Sequence, residues 1–367
     1  MSCRGDKLFS RISTPKEAYP QTGFKWGFMN PQGKIVIPPD YQEVRDFQDS
    51  FAAYREGYLW GYINQSGMAI IKPKYLQAHS FSSQLARVVT TDGRTIYINP
   101  YGKSAFDLHC SKAGNFSNNR APIWQKNKVG YINTKGRIVI HPKYDDGNEF
   151  YLGTAIVKVG NKFGLIDPYG KFIIKPEYDL IYLEKYARDN LFLLKKNDKV
   201  GYYDLGSEEY LPTTFDDGQP FFDHSAVVKK DSLYGVIDRN GDWLLPPIFP
   251  ELMNLGNHRW ALFDEKEYYM IDEDGLQYGE GFHQIYRFSE GLATAQIDQK
   301  WGFVDTLGEF IIAPIYDVVW PFKKGIARVG TQAGVGFIDK QGHYIIEPQL
   351  VDIRDFHEGL ARFSVRE

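Results

Sequence analysis

The chain has 367 residues, of which 43 are Lys or Arg and 46 are Asp or Glu, giving a net charge of −3. This charge provides no basic field to hold a phosphate backbone, so nucleic acid is a poor candidate partner. The two cysteines, Cys3 and Cys110, form no CxxC pair and indicate neither a disulfide framework nor a zinc knuckle.

The N-terminal segment, residues 1–23, precedes the first repeat and is predicted to be a leader or cap. It lacks the apolar core of a signal peptide, and no later stretch is apolar enough for a membrane span. We therefore expect a soluble, cytoplasmic protein. A periplasmic or surface location would require that an upstream leader has been removed.

Residues 24–367 are predicted to be one array of about ten repeats of roughly 34 residues. Two of these repeats, at about residues 86–119 and 255–287, are degenerate. The other repeats share a glycine followed by an aromatic or aliphatic residue, at Gly27, Gly61, Gly130, Gly164, Gly201, Gly235, Gly302 and Gly336. A period this regular indicates a fold in which each repeat buries its apolar face against its neighbours.

A turn is predicted after each of these anchor glycines. Asn or Asp follows three residues after the anchor, and a second glycine usually follows three residues later, as in Asn30 and Gly33, Asn64 and Gly67, Asn133 and Gly136, Asp167 and Gly170, Asp238 and Gly241, Asp305 and Gly308, and Asp339 and Gly342. This spacing is typical of a type I turn. A ladder of metal ligands is the alternative. The turn explains both the identity and the spacing of these residues, so we assign them a structural role.

The segments around the turn predict strands. Runs such as KIVIPPDY (34–41) and RIVIHPKY (137–144) are apolar and end at proline, which cannot donate to a strand ladder. The motif seen in FSEGLATA (288–295) and FHEGLARF (356–363) predicts a further strand. We therefore expect an all-β protein whose repeats each hold three short antiparallel strands.

Two overall arrangements of the array are open. Propellers usually have about four to eight blades of about 40 or more residues, so we expect an open superhelix or solenoid. A closed, propeller-like ring is the alternative. The final segment ARFSV (361–365) could close it by completing the first repeat, but KLFSRIS (7–13) could fill the same place.

The segments FKWGFMNPQGKIVIPPDY (24–41), VGYINTKGRIVIHPKY (129–144) and KWGFVDTLGEFIIAPIY (300–316) resemble the bacterial WG repeat family. The resemblance covers almost the whole chain from about residue 24. The tryptophan of the motif occurs only at Trp26, Trp60 and Trp301. The resemblance implies a bacterial origin, β repeats and service as an interaction surface. It supplies no catalytic residues.

The sequence contains no GxSxG, HExxH, P-loop or GxGxxG motif, so we expect neither an enzyme nor a cofactor. His224 and His258 share a position in successive repeats and could hold a metal together with Asp223. Solvated loop histidines are the preferred interpretation.

The candidate binding residues lie where the repeat departs from its pattern. The eighth repeat contains FDEKEYYMIDEDG (263–275), whose Asp264, Glu265, Glu267 and Asp274 would favour a basic partner. Trp124, Trp260 and Trp320 stand outside the regular aromatic columns. Alternation along the strands predicts that Trp124 and Trp260 point outward, where they could anchor a protein or stack on a sugar. Decay of the repeat and packing at the seam between repeats are the structural alternatives.

These observations predict a non-enzymatic scaffold that binds another protein. Its most specific version is an immunity- or inhibitor-type role against a basic toxin. A carbohydrate or cell-wall binding module is the first alternative, since exposed aromatic rings stack on sugars. A hydrolase with dispersed carboxylates is the second, because catalytic pairs can come from distant segments.

Overall fold

The computed structural model describes residues 23–108, 110–184 and 190–367. The predicted leader or cap therefore lies outside the described residues, apart from Gly23. Every regular element in the described part of the chain is a β-strand, and none of these residues forms a helix that could span a membrane. The described chain divides into a first compact unit, which runs to Pro176 and includes Leu350–Glu367, and a second compact unit, Glu177–Gln349.

The strands are short and follow one another closely. In chain order they are β1 Phe24–Met29, β2 Ile35–Tyr41, β3 Glu43–Val44, β4 Phe51–Glu56, β5 Leu59–Asn64, β6 Ala69–Ala78, β7 Ala86–Thr90, β8 Thr95–Ile98, β9 Lys112–Ala113, β10 Arg120–Gln125, β11 Lys128–Asn133, β12 Ile138–Tyr144, β13 Asp146–Gly147, β14 Ala155–Val159, β15 Lys162–Ile166, β16 Phe172–Tyr178, β17 Leu180–Tyr182, β18 Leu191–Lys196 and β19 Lys199–Asp204. They continue with β20 Glu209–Phe215, β21 Asp217–Gly218, β22 Ser225–Lys230, β23 Leu233–Asp238, β24 Trp243–Phe249, β25 Leu252–Gly256, β26 Arg259–Phe263, β27 Tyr268–Ile271, β28 Gln277–Phe282, β29 Gln284–Ser289, β30 Leu292–Ile297, β31 Lys300–Val304, β32 Phe310–Tyr316, β33 Val318–Val319, β34 Ile326–Thr331, β35 Gly334–Asp339, β36 Tyr344–Leu350, β37 Asp352–Ile353 and β38 Ala361–Arg366.

The described residues form nine antiparallel sheets, eight of four strands and one of six. A typical sheet contains successive strands in order, such as β13-β14-β15-β16. The six-stranded sheet, β3 to β8, holds strands of the second repeat and of the degenerate third repeat. The prediction of three strands per repeat is wrong. The first strand of the sheet was missed because it is as short as two residues, for example Glu43–Val44, and two residues carry no periodic signal.

The expected open superhelix is also wrong, because the two ends of the chain share one sheet. Its strand order is β2-β1-β38-β37, and the β1–β38 register runs from Phe24 opposite Arg366 to Met29 opposite Ala361. The final strand satisfies the backbone groups of β1 that an open array would leave unpaired. Four-stranded antiparallel sheets with the first and last strands in one sheet are the arrangement of a β-propeller, which was the alternative. The argument from repeat length failed because two-residue strands and turns fit four strands into a short repeat.

The anchor glycine of each regular repeat lies where the fourth strand of its sheet crosses it. A Cβ atom at Gly130 would lie 2.5 Å from the carbonyl oxygen of Ile140, a distance that real contacts do not reach. The corresponding backbone conflict occurs at Gly27, Gly61, Gly164, Gly235, Gly302 and Gly336. The register between β11 and β12 shifts on both sides of Tyr131, which indicates a bulge at this crossing. Glycine is therefore required by close approach of the backbone.

The turn after the third strand is held by its Asn or Asp. In the first repeat, Asn30 Oδ1 accepts hydrogen bonds from the backbone N–H groups of Gln32 and Lys34, at 3.1 and 2.9 Å. Gly33 adopts a φ of 75°. The same pairs of bonds are made by Asn64, Asn133, Asp167, Asp238, Asp305 and Asp339. These side chains therefore satisfy backbone donors within their own turn.

Tyrosine hydroxyls join successive repeats. Tyr62 donates to the carbonyl of His79 at 2.7 Å, and Tyr131 donates to that of Asn148 at 2.9 Å. Burial raises the pKa of both tyrosines, so their hydroxyls remain protonated donors. At the end of the fourth strand, Tyr144 donates to the carbonyl of the turn glycine Gly170 in the next repeat at 3.2 Å. The Pro-aromatic column of the sequence thus carries contacts between repeats.

We expect Gly130→Ala to lower the free energy of unfolding by about 2–3 kcal/mol or to prevent folding, because its Cβ meets the backbone of β12. Gly57→Ala is the matched control. Gly57 has a φ of 60° but nothing within 4 Å of an added Cβ, so this variant should lose only about 1 kcal/mol. Urea unfolding measures both values. Equal losses in the two variants would contradict the close-approach explanation.

Candidate functional site

Each sheet has two ends with different turns, because its strands are antiparallel. The turn between the second and third strands lies at one end, which we call the hairpin end. The Asn/Asp turn between the third and fourth strands lies at the opposite end, which we call the Asn/Asp-turn end. Side chains on turns at opposite ends cannot contribute to one small patch.

The acidic residues of the eighth repeat are divided between these ends. Asp264, Glu265 and Glu267 lie in the turn between β26 and β27, at the hairpin end, whereas Asp274 lies between β27 and β28. The four residues of β27 separate the two turns by about 13 Å. Asp264 Oδ1 accepts hydrogen bonds from the backbone N–H groups of Glu267 and Lys266, at 2.9 and 3.0 Å. These bonds lower the pKa of Asp264 and keep it ionised.

Trp260 does not point outward as expected. It is only 1% exposed and packs with Leu252 and Ile271 in a hydrophobic cluster. Its Nε1 has no hydrogen-bond partner. Alternation failed here because both faces of a sheet are covered, so Trp260 and its neighbour Ala261 are both buried. Trp260 cannot be an exposed binding anchor.

The other two candidate tryptophans are half-buried and lie under cations. The Nζ atom of Lys112 lies 4.5 Å from the centre of the Trp124 ring. The guanidinium of Arg328, itself 7% exposed, lies 3.9 Å from the centre of the Trp320 ring. Each ring therefore has one face engaged by its own sheet.

The histidines proposed as a metal pair occupy turns with left-handed backbone. His224 and His258 have φ angles of 69° and 54°. Their neighbour Asp223 accepts a hydrogen bond from the backbone N–H of Asn257 in the following repeat, so its carboxylate links repeats. The described part of the chain contains no cluster of three or more His, Cys, Asp or Glu that could hold a metal.

A second set of acidic residues, which the sequence analysis missed, lies at the hairpin end of the second unit. Asp198, Asp231 and Asp298 occupy the turns between β18 and β19, β22 and β23, and β30 and β31. All three have positive φ angles, of 58°, 51° and 48°. With Asp264, Glu265 and Glu267 they place acids on four successive turns, and we call these six residues the acidic row. The sequence signal is the spacing of 33, 33 and 34 residues between Asp198, Asp231, Asp264 and Asp298.

A basic cluster, also missed, lies in the first unit. Arg87 Nη2 is 3.3 Å from His79 Nδ1, and Arg87 Nε donates to Asn115 Oδ1 at 3.1 Å. Burial, together with the charges of Arg87 and Arg45, lowers the pKa of His79 to about 4. Burial also lowers the pKa of Arg87.

The sequence profile described as WG containing repeat matches eight segments of the chain. They are residues 26–60, 60–93, 130–163, 163–199, 234–257, 281–301, 301–330 and 336–367, which together exceed half of its length. The two intervals of the sequence that were predicted to be degenerate, about 86–119 and 255–287, fall largely between these segments.

Comparison with curated proteins gives no match. Among solved structures, the chain is similar to a eukaryotic initiation factor, with 13% identity over 86% of this chain and 98% of that one and a TM-score of 0.46. It is also similar to BamB from Moraxella catarrhalis, with 7% identity over 88% and 95% of the two chains and a TM-score of 0.33. These identities are too low to transfer a function.

We expect the stability difference between the wild type and His79→Gln to depend on pH. The folded pKa of His79 is lowered to about 4 from 6.5, so below pH 6.5 the unfolded chain binds a proton that the folded chain does not. The wild type therefore loses stability as the pH falls through this window, and the variant lacks that loss. Its stability relative to the wild type should rise from neutral pH to about pH 4 in urea unfolding. His141→Gln, at an exposed strand position, is the control, and a pH-independent difference for His79→Gln would refute the assignment.

Proposed function

The chain belongs to the WG containing repeat family, and from this premise we propose that it is a non-enzymatic scaffold that binds a basic protein through the acidic row. Family membership supports a repeat scaffold for interaction. The observation that carries the specific proposal is the presence of acids on four successive hairpin-end turns of the second unit. The residues that define the repeat are used for packing, so they are not available for recognition.

Two lysines beside the acidic row are engaged by other carboxylates. Lys199 pairs with Asp216, and Lys300 pairs with Asp317. Within the row, Asp198 has a longer contact with Lys195, at 3.7 Å, and its side chain is 98% exposed. Glu267 lies 4.0 Å from His283, and Lys266 stands between Glu265 and Glu267, so the six acids of the row still outnumber the cations within it. Such a surface accelerates association with a cationic partner and selects against acidic ones.

The immunity- or inhibitor-type version of this function follows from the same charge. A toxin that acts on nucleic acid must present a cationic surface to hold the phosphate backbone. An acidic row of several repeats would cover such a surface and compete with the nucleic acid. In the first unit the equivalent turns Lys126-Asn127 and Gly160-Asn161 carry no acid, and Asp92 in the turn between β7 and β8 pairs with Arg94, so recognition would fall to the second unit.

The test removes the charge of the row without changing its turns. Asn tolerates positive φ as Asp does, so Asp198→Asn, Asp231→Asn and Asp298→Asn keep the two-residue turns. They are combined with Asp264→Asn, Glu265→Gln and Glu267→Gln. We expect affinity capture from cells that produce the protein, followed by mass spectrometry, to yield a basic protein whose recovery falls at least about tenfold with this variant.

The matched control neutralises six exposed acids elsewhere, namely Asp40, Asp107, Asp242, Asp274, Glu309 and Glu347. Both variants have the same net charge, so a general charge effect would reduce capture by both. Retention of the basic protein by the row variant, or equal loss with the control, would contradict the proposed site.

A second candidate function, carbohydrate binding, is favoured by two very exposed aromatic rings. Tyr101 and Tyr169 are 82% and 84% exposed and occupy the same position of the Asn/Asp turn, two repeats apart. Tyrosine faces at this spacing could stack on sugar rings of an extended glycan. Glycan-array binding that is unchanged by Tyr101→Ala and Tyr169→Ala would exclude these residues as the site.

A further inference from the structure

Three residues of the first unit occupy equivalent positions in successive repeats, directly after β3, β6 and β9. They are Arg45, His79 and Gly114. Their equivalence is seen in the backbone, where the N–H of Arg45 donates to Ala53 at 2.8 Å, that of His79 to Arg87 at 3.0 Å and that of Gly114 to Pro122 at 2.8 Å. The side chain at this position differs from repeat to repeat, whereas its backbone hydrogen bond is the same.

The tautomer of His79 is set by its neighbour. An arginine can only donate hydrogen bonds, so Nδ1 of His79 accepts from Arg87 Nη2, and the ring hydrogen is on Nε2. The carbonyl of His79 accepts from Tyr62, which fixes the backbone under the ring. Nε2–H of His79 is therefore a hydrogen-bond donor, held in place by the contact of the ring with Arg87 and that of the backbone with Tyr62.

Arg45 adds a guanidinium whose N–H groups are not used by the protein. It lies 5.1 Å above the centre of the Trp60 ring and makes no hydrogen bond or ion pair with any described residue. Two carboxylates of this unit are used by other groups: Glu43 pairs with Arg55, and Glu149 accepts a hydrogen bond from the backbone N–H of Asn115. Glu149 still acts on Arg87 through space, on the side where Arg87 contacts Asn115.

The third position is closed to side chains. A Cβ atom at Gly114 would lie 2.6 Å from Pro122 Cγ, so glycine is required here and contributes no polar side chain. The side-chain donors of these equivalent positions and their neighbour are therefore those of Arg45, His79 and Arg87.

We propose that Arg45, His79 and Arg87 form a binding site for an oxyanion, a phosphate or carboxylate group of a ligand. Guanidinium groups bind such anions through paired, charge-assisted hydrogen bonds, and Nε2–H of His79 supplies a further donor. The Trp60 ring lies 5.1 Å from the guanidinium carbon of Arg45 and limits the positions that this group can take. Burial is the main cause of the lowered pKa of both His79 and Arg87, and the charge of Arg45 adds to it. The site lies in the first unit and does not depend on the acidic row.

Calorimetric titration of the whole chain with inorganic phosphate and, separately, with sodium acetate at constant ionic strength tests this site. We expect saturable binding of at least one anion, weakened at least about tenfold by Arg45→Gln. The control is Arg137→Gln, which removes an exposed arginine of the same unit and should leave the affinity unchanged. Binding of phosphate would identify a phosphate-bearing ligand, and binding of acetate alone would identify a carboxylate.

A second variant and an NMR signal distinguish a loss of binding from a loss of folding. Arg45→Lys keeps the charge but loses the paired donors, so its affinity should lie between those of the wild type and Arg45→Gln. In NMR spectra the imidazole signals of His79, identified by their absence in His79→Gln, should shift on titration of the wild type. Binding of neither anion, or equal affinity of the wild type and Arg45→Gln, would overturn the proposal.

Discussion

The crossing of the fourth strand over the anchor glycine is the constraint on which the repeat depends. At Gly130 the carbonyl of Ile140 occupies the space of a side chain, and the strand bulges at this point. The crossing brings Tyr144 to the end of the sheet, where its hydroxyl reaches Gly170 of the next repeat. A hydrogen bond of this kind contributes about 0.5–1.5 kcal/mol, and its recurrence along the chain makes the contact between repeats cooperative. The glycine, the proline and the tyrosine of the motif are thus parts of one contact.

The local structure could be predicted from the sequence, and the long-range structure could not. Asn30 and Gly33 define their turn through contacts within five residues, so their spacing carries the information. The strand Glu43–Val44 is too short to show a period, and the pairing of Phe24 with Arg366 joins residues at opposite ends of the chain. Burial at Trp260 was mispredicted for a related reason. Alternation describes a sheet with one wet face, whereas neighbouring sheets cover both faces here.

The candidate sites show the same limit. The acids of the eighth repeat are adjacent in sequence, yet the strand β27 separates Asp274 from Asp264. The acidic row is periodic in sequence, but Asp is also a preferred residue in tight turns with positive φ, so the period alone did not indicate a surface. The cluster of Arg45 and His79 requires knowledge of where β3 and β6 end and of which residues follow them. In a repeat fold, function is found at positions that the contacts between repeats leave free, and these positions become visible only with the strand register.

The pairing of the two chain ends in one sheet can be tested directly with a disulfide. Lys25 and Val365 are opposite each other in β1 and β38, at a Cα separation of about 4.5–5.5 Å for antiparallel partners, which suits a disulfide. In a chain whose Cys3 and Cys110 are replaced, Lys25→Cys with Val365→Cys should form a bond within the molecule under mild oxidation and raise the free energy of unfolding by about 2–4 kcal/mol. Lys25→Cys with the exposed Tyr101→Cys is the control and should not form this bond. Failure of the 25–365 pair to oxidise, or bonds formed only between different molecules, would contradict the pairing of β1 with β38.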